Sequence, residues 1–269
     1  PFRDVWVLSI RSLHRDRTRD YCEHSDFLKL ATCENDQRVF WAGTDKLDRP
    51  DPEIGRPPQL YKLEAAPYES LMLGLLQIHD GPPNDICHEG GYPKNTHLQI
   101  AFSRDGFHWH QPNRQSFIAG TKQEGDWDRA YLHVAVGGCL VIGEKVYFYY
   151  SAWSGKSPQH GGHMYAGGAT GLATLRRDGF ASLNAEAPGG TLTTRPLVFD
   201  GRYLFVNVDC SNGQLRVELI DADGNVIAPF SFANCEPVAA DTTMQIITWK
   251  RAADLSRIAG RRARFRFHL

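Results

Sequence analysis

No apolar run in this sequence is long enough to cross a bilayer as a helix. The stretch from Leu71 to Leu76 is broken by Gly74, and the one from Val134 to Ile142 holds two glycines, whereas a span needs ~20 apolar residues. No membrane partner is expected. A basic excess is lacking too: 30 Lys and Arg stand against 31 Asp and Glu, a formal net charge of −1. Binders that neutralise phosphates usually carry a strong positive surplus, so nucleic acid is not an expected partner. Cysteine is scarce and scattered over Cys22, Cys33, Cys87, Cys139, Cys210 and Cys235, with no CxxC pair. That spacing fits neither a disulfide scaffold nor a structural zinc site. Cys210 and Cys235 fall in one expected domain and could bridge; otherwise the cysteines read as buried small hydrophobes. Phosphate-cradling glycine motifs, a GxSxG elbow and a Cys-His nucleophile signature are missing as well. No cofactor and no metal are expected. The chain opens Pro1-Phe2-Arg3-Asp4 without an initiator Met or an apolar leader, which reads as a processed or excised piece and leaves the compartment open.

What is present is strand-forming. Of 269 residues, 42% are hydrophobic and 23% charged, a globular composition with length enough for two domains. Thirty residues are Phe, Trp or Tyr, which suits sheets better than helix bundles. Val5-Trp6-Val7-Leu8-Ser9-Ile10, Leu98-Gln99-Ile100-Ala101-Phe102 and Val146-Tyr147-Phe148-Tyr149-Tyr150 are β-branched or aromatic runs. Leu215, Val217 and Leu219 alternate with Arg216 and Glu218, the period of a half-buried strand. Only residues 251–258 offer a helix-like stretch. The fold class expected is all-β.

A short motif recurs. Arg104-Asp105-Gly106-Phe107 returns as Arg177-Asp178-Gly179-Phe180, and a degenerate copy, Glu23-His24-Ser25-Asp26-Phe27-Leu28, lies upstream. An Asp-Gly pair between strands favours a tight hairpin, because primed turns need positive φ. The spacing of roughly 70–80 residues exceeds the common propeller repeats but fits four-stranded blades with long connections. Three such hairpins imply three blades over residues 1–185. After the linker-like Glu186-Ala187-Pro188-Gly189-Gly190 come close hairpins around Asp200-Gly201 and Asp223-Gly224, and a closing run Ala263-Arg264-Phe265-Arg266-Phe267. Short alternating strands over 189–269 suggest a β-sandwich, with Arg262, Arg264 and Arg266 on a solvated sheet face.

Ser103-Arg104-Asp105-Gly106-Phe107-His108-Trp109 looks like the turn between outer blade strands of five-bladed propeller glycosidases of the fructosidase and arabinanase type. Residues 167–180, then Leu192-Thr193-Thr194-Arg195-Pro196-Leu197, Asn207 and Leu215-Arg216-Val217-Glu218, resemble bacterial proteins similar to glycoside hydrolase family 32 with a C-terminal β-sandwich. The resemblance implies the last three blades of five, a ring completed by a missing N-terminal part or by a second chain, and hydrolysis of an oligo- or polysaccharide. The alternative is a non-catalytic carbohydrate-binding or scaffold propeller.

Glycoside hydrolysis generally needs two carboxyls flanking the scissile bond. By the resemblance, the acid is a glutamate entering an inner strand, and Glu69 in Pro67-Tyr68-Glu69-Ser70-Leu71 occupies such a place. An apolar surround would raise its pKa as a general acid requires; the plainer reading is a strand cap or an ion pair. In Glu124-Gly125-Asp126-Trp127-Asp128-Arg129, Asp128 is the second carboxylate, Trp127 a stacking platform for a sugar face, and Arg129 a clamp for hydroxyls or a carboxylate. The plainer reading there is an acidic turn with a packed indole. His79, His133 and Arg11, each in or ending a strand, are expected to line the channel and bond sugar hydroxyls, unless they are satisfied core or rim groups. His160 and His163 flank Gly161-Gly162 without a third ligand in view, so they read as a mobile loop rather than a metal site.

Overall fold

A computed structural model describes residues 3–14, 16–135, 137–159 and 161–269; His160 lies outside them. The chain is all-β, with 44% strand and 5% helix, in several antiparallel sheets none of which closes into a barrel. Two compact units divide it: residues 1–140 with 147–174, and residues 141–146 with 175–269.

In the first unit, β1 (Trp6–Leu13), β2 (Arg17–His24) and β3 (Val39–Ala42) form a three-stranded sheet in chain order. Then β4 (Gln59–Tyr68), β5 (Leu71–Gly81), β6 (Asn95–Ser103) and β7 (Ile118–Ala119) make a four-stranded meander, again in chain order. Strand β5 is paired on both sides and buried almost end to end, which explains why Leu71 to Ile78 is nearly continuous in apolar residues rather than alternating. Gly74 interrupts that run for a steric reason: a Cβ there would sit 2.6 Å from the Trp109 ring. Core residues Tyr21, Trp41, Leu60, Leu63, Leu76, Ile78 and Ala101 pack together.

The strands β8 (His133–Val134), β9 (Leu140–Ile142), β10 (Lys145–Trp153), β11 (Lys156–Ser157), β12 (Gly161–Gly162) and β13 (Gly168–Arg176) follow. They give one sheet in the order β13-β10-β8, with β9 also on β10, and a small β11-β12 ribbon. In the second unit β14 (Thr191–Thr193), β15 (Leu204–Asp209), β16 (Arg216–Ile220), β17 (Asp241–Ile247) and β18 (Arg264–His268) make two sheets, β14-β18-β16 and β15-β17. Val217, Leu219 and Phe265 of the first share a core with Ile247, Leu204 and Val206 of the second. The arginines alternating with those phenylalanines are engaged: Arg266 meets Glu218 at 3.1 Å, and Arg264 donates to the Thr194 carbonyl.

Several local expectations are corrected. No helix forms over 251–258; helices lie instead at Phe27–Leu30 (α1) and Asn84–Gly90 (α2). The second is stopped by Gly91 at φ 63°, a left-handed cap that glycine adopts without steric cost. The three motif copies are not three hairpins. Asp105 does organise a turn, accepting from the Ser103 hydroxyl and from the Phe107 and His108 amides, and Phe102 bridges His110 across it. Asp26 instead caps α1 through the Leu28 amide. Around Asp178 the chain turns with Asp178 itself at φ 57°, and the next strand, β14, pairs with β18 rather than back onto β13. The tetrapeptide sets a local bend, but the partner strand is chosen by long-range packing. The disulfide is also elsewhere: Cys22 bridges Cys33, while Cys210 and Cys235 are free and buried.

Candidate functional site

The first unit holds a cleft of about 330 Å³ lined by residues of β1, β2, β4 and β5 and the loops beside them. Arg11 reaches it from β1, Arg17 from the start of β2, Gln59 from the start of β4, and His79 and Asp80 from the end of β5. Arg56 and Asp16 stand at its exposed rim. Alternation puts His79 here: in β4 and β5, Gln59 pairs with His79 and Leu60 with Ile78, so the polar pair faces one way and the apolar pair the other.

The hydrogen bonds fix the chemistry of the floor. Arg17 donates to the Gln59 side-chain oxygen at 2.6 Å, and its guanidinium lies 3.1 Å from His79 Nδ1. A guanidinium only donates, so Nδ1 must accept, and the ring proton sits on Nε2. That Nε2 is buried with no hydrogen-bond partner among the described residues, and so is Arg17 Nε. His79 itself is 4% exposed. Burial, then the charges of Arg17 and Lys94, hold its pKa down to about 3, with the Pro82 carbonyl working weakly the other way. His79 is therefore a neutral N–H donor across the working pH range. Asp80, also buried, meets His97 Nδ1 at 2.8 Å, and Asp16 accepts from the Gln59 amide at 3.0 Å.

Behind the cleft lies a tyrosine cage. The Lys94 side chain is fully buried and donates to the hydroxyls of Tyr61 and Tyr165 at 3.3 and 3.1 Å. Its ammonium also lies within 5.1 Å of the ring centres of Tyr61, Tyr131 and Tyr165, close enough for cation–π attraction. Burial alone would raise the Tyr61 phenol. The hydrogen bond from Tyr131 and the charges of Lys94 and Arg17 outweigh it and bring Tyr61 below the ordinary tyrosine value. Tyr131 is pushed up, first by burial and then by Tyr61. Tyr61 joins cage to cleft, its ring 5.4 Å from the Arg17 guanidinium and 5.8 Å from the His79 ring.

The sequence-derived candidates separate into two groups. Arg11 and His79 line the cleft. His133, half-buried on β8, lies beside Tyr61 at 6.4 Å and Tyr131 at 6.2 Å between ring centres, and burial followed by the Lys62 charge lowers its pKa. Glu69 is elsewhere. It is the first residue of the two-residue turn joining Tyr68 to Leu71, is exposed, and has φ 50°. The apolar surround expected for it is not there, because the hairpin reverses at Glu69 instead of carrying it into β5. Trp127, Asp128 and Arg129 sit in the loop before β8, away from the cleft lining. Trp127 packs 5.8 Å from the Tyr150 ring over Gly171, where a Cβ would meet both rings, and Asp128 helps to raise the Tyr150 phenol after burial. The indole is thus partly spent on packing.

Arg17, Arg56, Gln59, Tyr61, Lys94, Asp16 and Asp80 were not singled out from sequence. The available signal was the polar alternation at the ends of β4 and β5, where Gln59, Tyr61, Gln77 and His79 interrupt apolar strands. A larger opening of about 970 Å³ in the second unit is lined by residues 185–191, 209–214, 216, 232, 268 and 269. Two of its basic groups are already committed, Arg216 to the Cys235 carbonyl and His268 to Glu218. Among the described residues no cluster of three or more His, Cys, Asp or Glu is arranged to hold a metal ion. No protein-family model, curated protein or solved structure matches the chain.

Proposed function

We propose that this chain is a carbohydrate-active protein of the propeller-glycosidase type that binds a saccharide in the Arg11–His79 cleft and hydrolyses a glycosidic bond there. The single observation that carries the reading is the cleft itself, where buried N–H donors without partners stand beside two aspartates. A sugar offers hydroxyl and ring oxygens to such donors, and an apolar ligand offers none. The chain-order meander β4-β5-β6-β7 and the smaller β1-β2-β3 sheet are what propeller blades look like, and the mixed core of β14-β18-β16 and β15-β17 suits a sandwich. Asp16 and Asp80, which line the cleft, take the roles that the sequence reading gave to Glu69 and Asp128.

A second reading has its own support. Asp80 is held by His97 and Asp16 by Gln59, as in a cleft that binds saccharide without cleaving it. A panel of aryl glycosides and oligosaccharides separates the two. The hydrolase reading expects turnover of at least one substrate, falling ~100-fold or more in Asp80→Asn and unchanged in Glu69→Gln. Binding without turnover across the panel would favour the second reading, and neither binding nor turnover would remove both.

A further inference from the structure

The donors of the cleft outnumber its acceptors, and the surplus is positive. Arg11, Arg17 and Arg56 face it, against Asp16 and Asp80, each already tied to a neighbour. Arg11 also stands directly opposite Arg19 in the β1–β2 register, a like-charge pairing that is unfavourable in a sheet unless something anionic comes close. Arg19 itself is committed to the Tyr61 carbonyl, whereas Arg11 is exposed and lines the cleft, where it can face a ligand. At the floor, the Nε2–H of the buried His79, with only a weak neighbour in the Pro82 carbonyl, and the Arg17 Nε make no hydrogen bond of ordinary geometry among the described residues and would gain from an acceptor on a ligand.

We propose that the cleft takes the oxyanion of an acidic saccharide, a carboxylate or a sulfate ester on the sugar, held by Arg11 and Arg56 at its mouth and by the Arg17 and His79 N–H groups at its floor. This deepens the carbohydrate reading above and rests on it. A carboxylate, or two oxygens of a sulfate, accepts two parallel N–H bonds from a guanidinium fork, which a sugar hydroxyl cannot do. Burial first keeps His79 from taking a proton, and the Arg17 and Lys94 charges that add to this also attract the anion. A neutral ring donor at the floor keeps its hydrogen bond without adding a titrating charge.

The test measures binding of a galacturonic acid tetrasaccharide, its full methyl ester and a 6-sulfated galactose tetrasaccharide to the full chain by titration calorimetry. Arg11→Gln and Arg56→Gln are the variants, because both side chains are exposed and their removal leaves the packed interior untouched. The acid or the sulfated form binds about tenfold or more tightly than the ester, in which a methyl group caps each carboxylate and removes its charge. Each arginine replacement weakens the anionic form about 3- to 10-fold, weakens the ester less, and reduces the salt dependence. Preference for the acid over the sulfate, or the reverse, identifies which oxyanion is used. Binding of both anionic forms no tighter than the ester, or anionic binding indifferent to both arginine replacements, overturns the inference while the carbohydrate reading stands. Failure of all three saccharides to bind overturns both.

Discussion

His79 gives a direct handle on the site through pH. In the folded chain its pKa is held down to about 3, whereas an unfolded histidine titrates near 6.5. Between those values the unfolded chain binds more protons than the folded one, so stability rises with pH through this window and is flat above it. Acidification from pH 6.5 to 3 should therefore cost the fold on the order of a few kcal/mol at this one ring. Urea unfolding of the wild type and His79→Gln across that range checks it. The wild type should lose stability more steeply than the variant, which keeps the smaller slope from His133, whose pKa is lowered in the same direction. Parallel slopes would mean that His79 is not buried as a neutral ring. At this scale the sequence was informative where strand alternation carried the signal, as for His79 and Arg11. Arg17 and Lys94 were illegible because their partners, Gln59 and Tyr165, lie far along the chain.

Elements were legible where their residues demand the structure locally. The runs around Val5, Leu98, Val146, Leu215 and Phe265 became β1, β6, β10, β16 and β18. The Arg-Asp-Gly-Phe motif was less informative, since its aspartates serve three different bends and strand pairing is decided at a distance. Glu69 shows the same limit. Its sequence neighbourhood resembles a strand entry, yet the register Tyr68–Leu71 leaves it in a two-residue turn at φ 50°. Glycine suits that position better than any residue with a Cβ. Glu69→Gly relieves the positive φ but frees the unfolded chain, so it should shift stability by less than ~1 kcal/mol and leave saccharide turnover intact. Chemical denaturation and a turnover assay together check this. Loss of turnover with an intact fold would return Glu69 to the catalytic machinery.

For the whole molecule, the all-β class could be read from aromatic and β-branched content alone. How sheets associate could not, because a blade and a sandwich leaf share the same alternation and differ only in long-range partners. The division into residues 1–140 with 147–174 and residues 141–146 with 175–269 has no composition shift at its edge; the linker-like Pro-Gly stretch at 188–190 lies further along the chain. The functional account depends on one location, the cleft whose floor is the His79 ring. It is tested most directly by imidazole nitrogen NMR of the full chain during titration with the galacturonic acid tetrasaccharide. The expected result is a neutral Nε2–H tautomer for His79 and a saturable shift of its Nε2 signal, alongside the backbone amides of Gln59, Tyr61 and Asp80. Saturable shifts confined to Trp127, Asp128 and Arg129, with His79 unmoved, would contradict it and put the saccharide on the other loop.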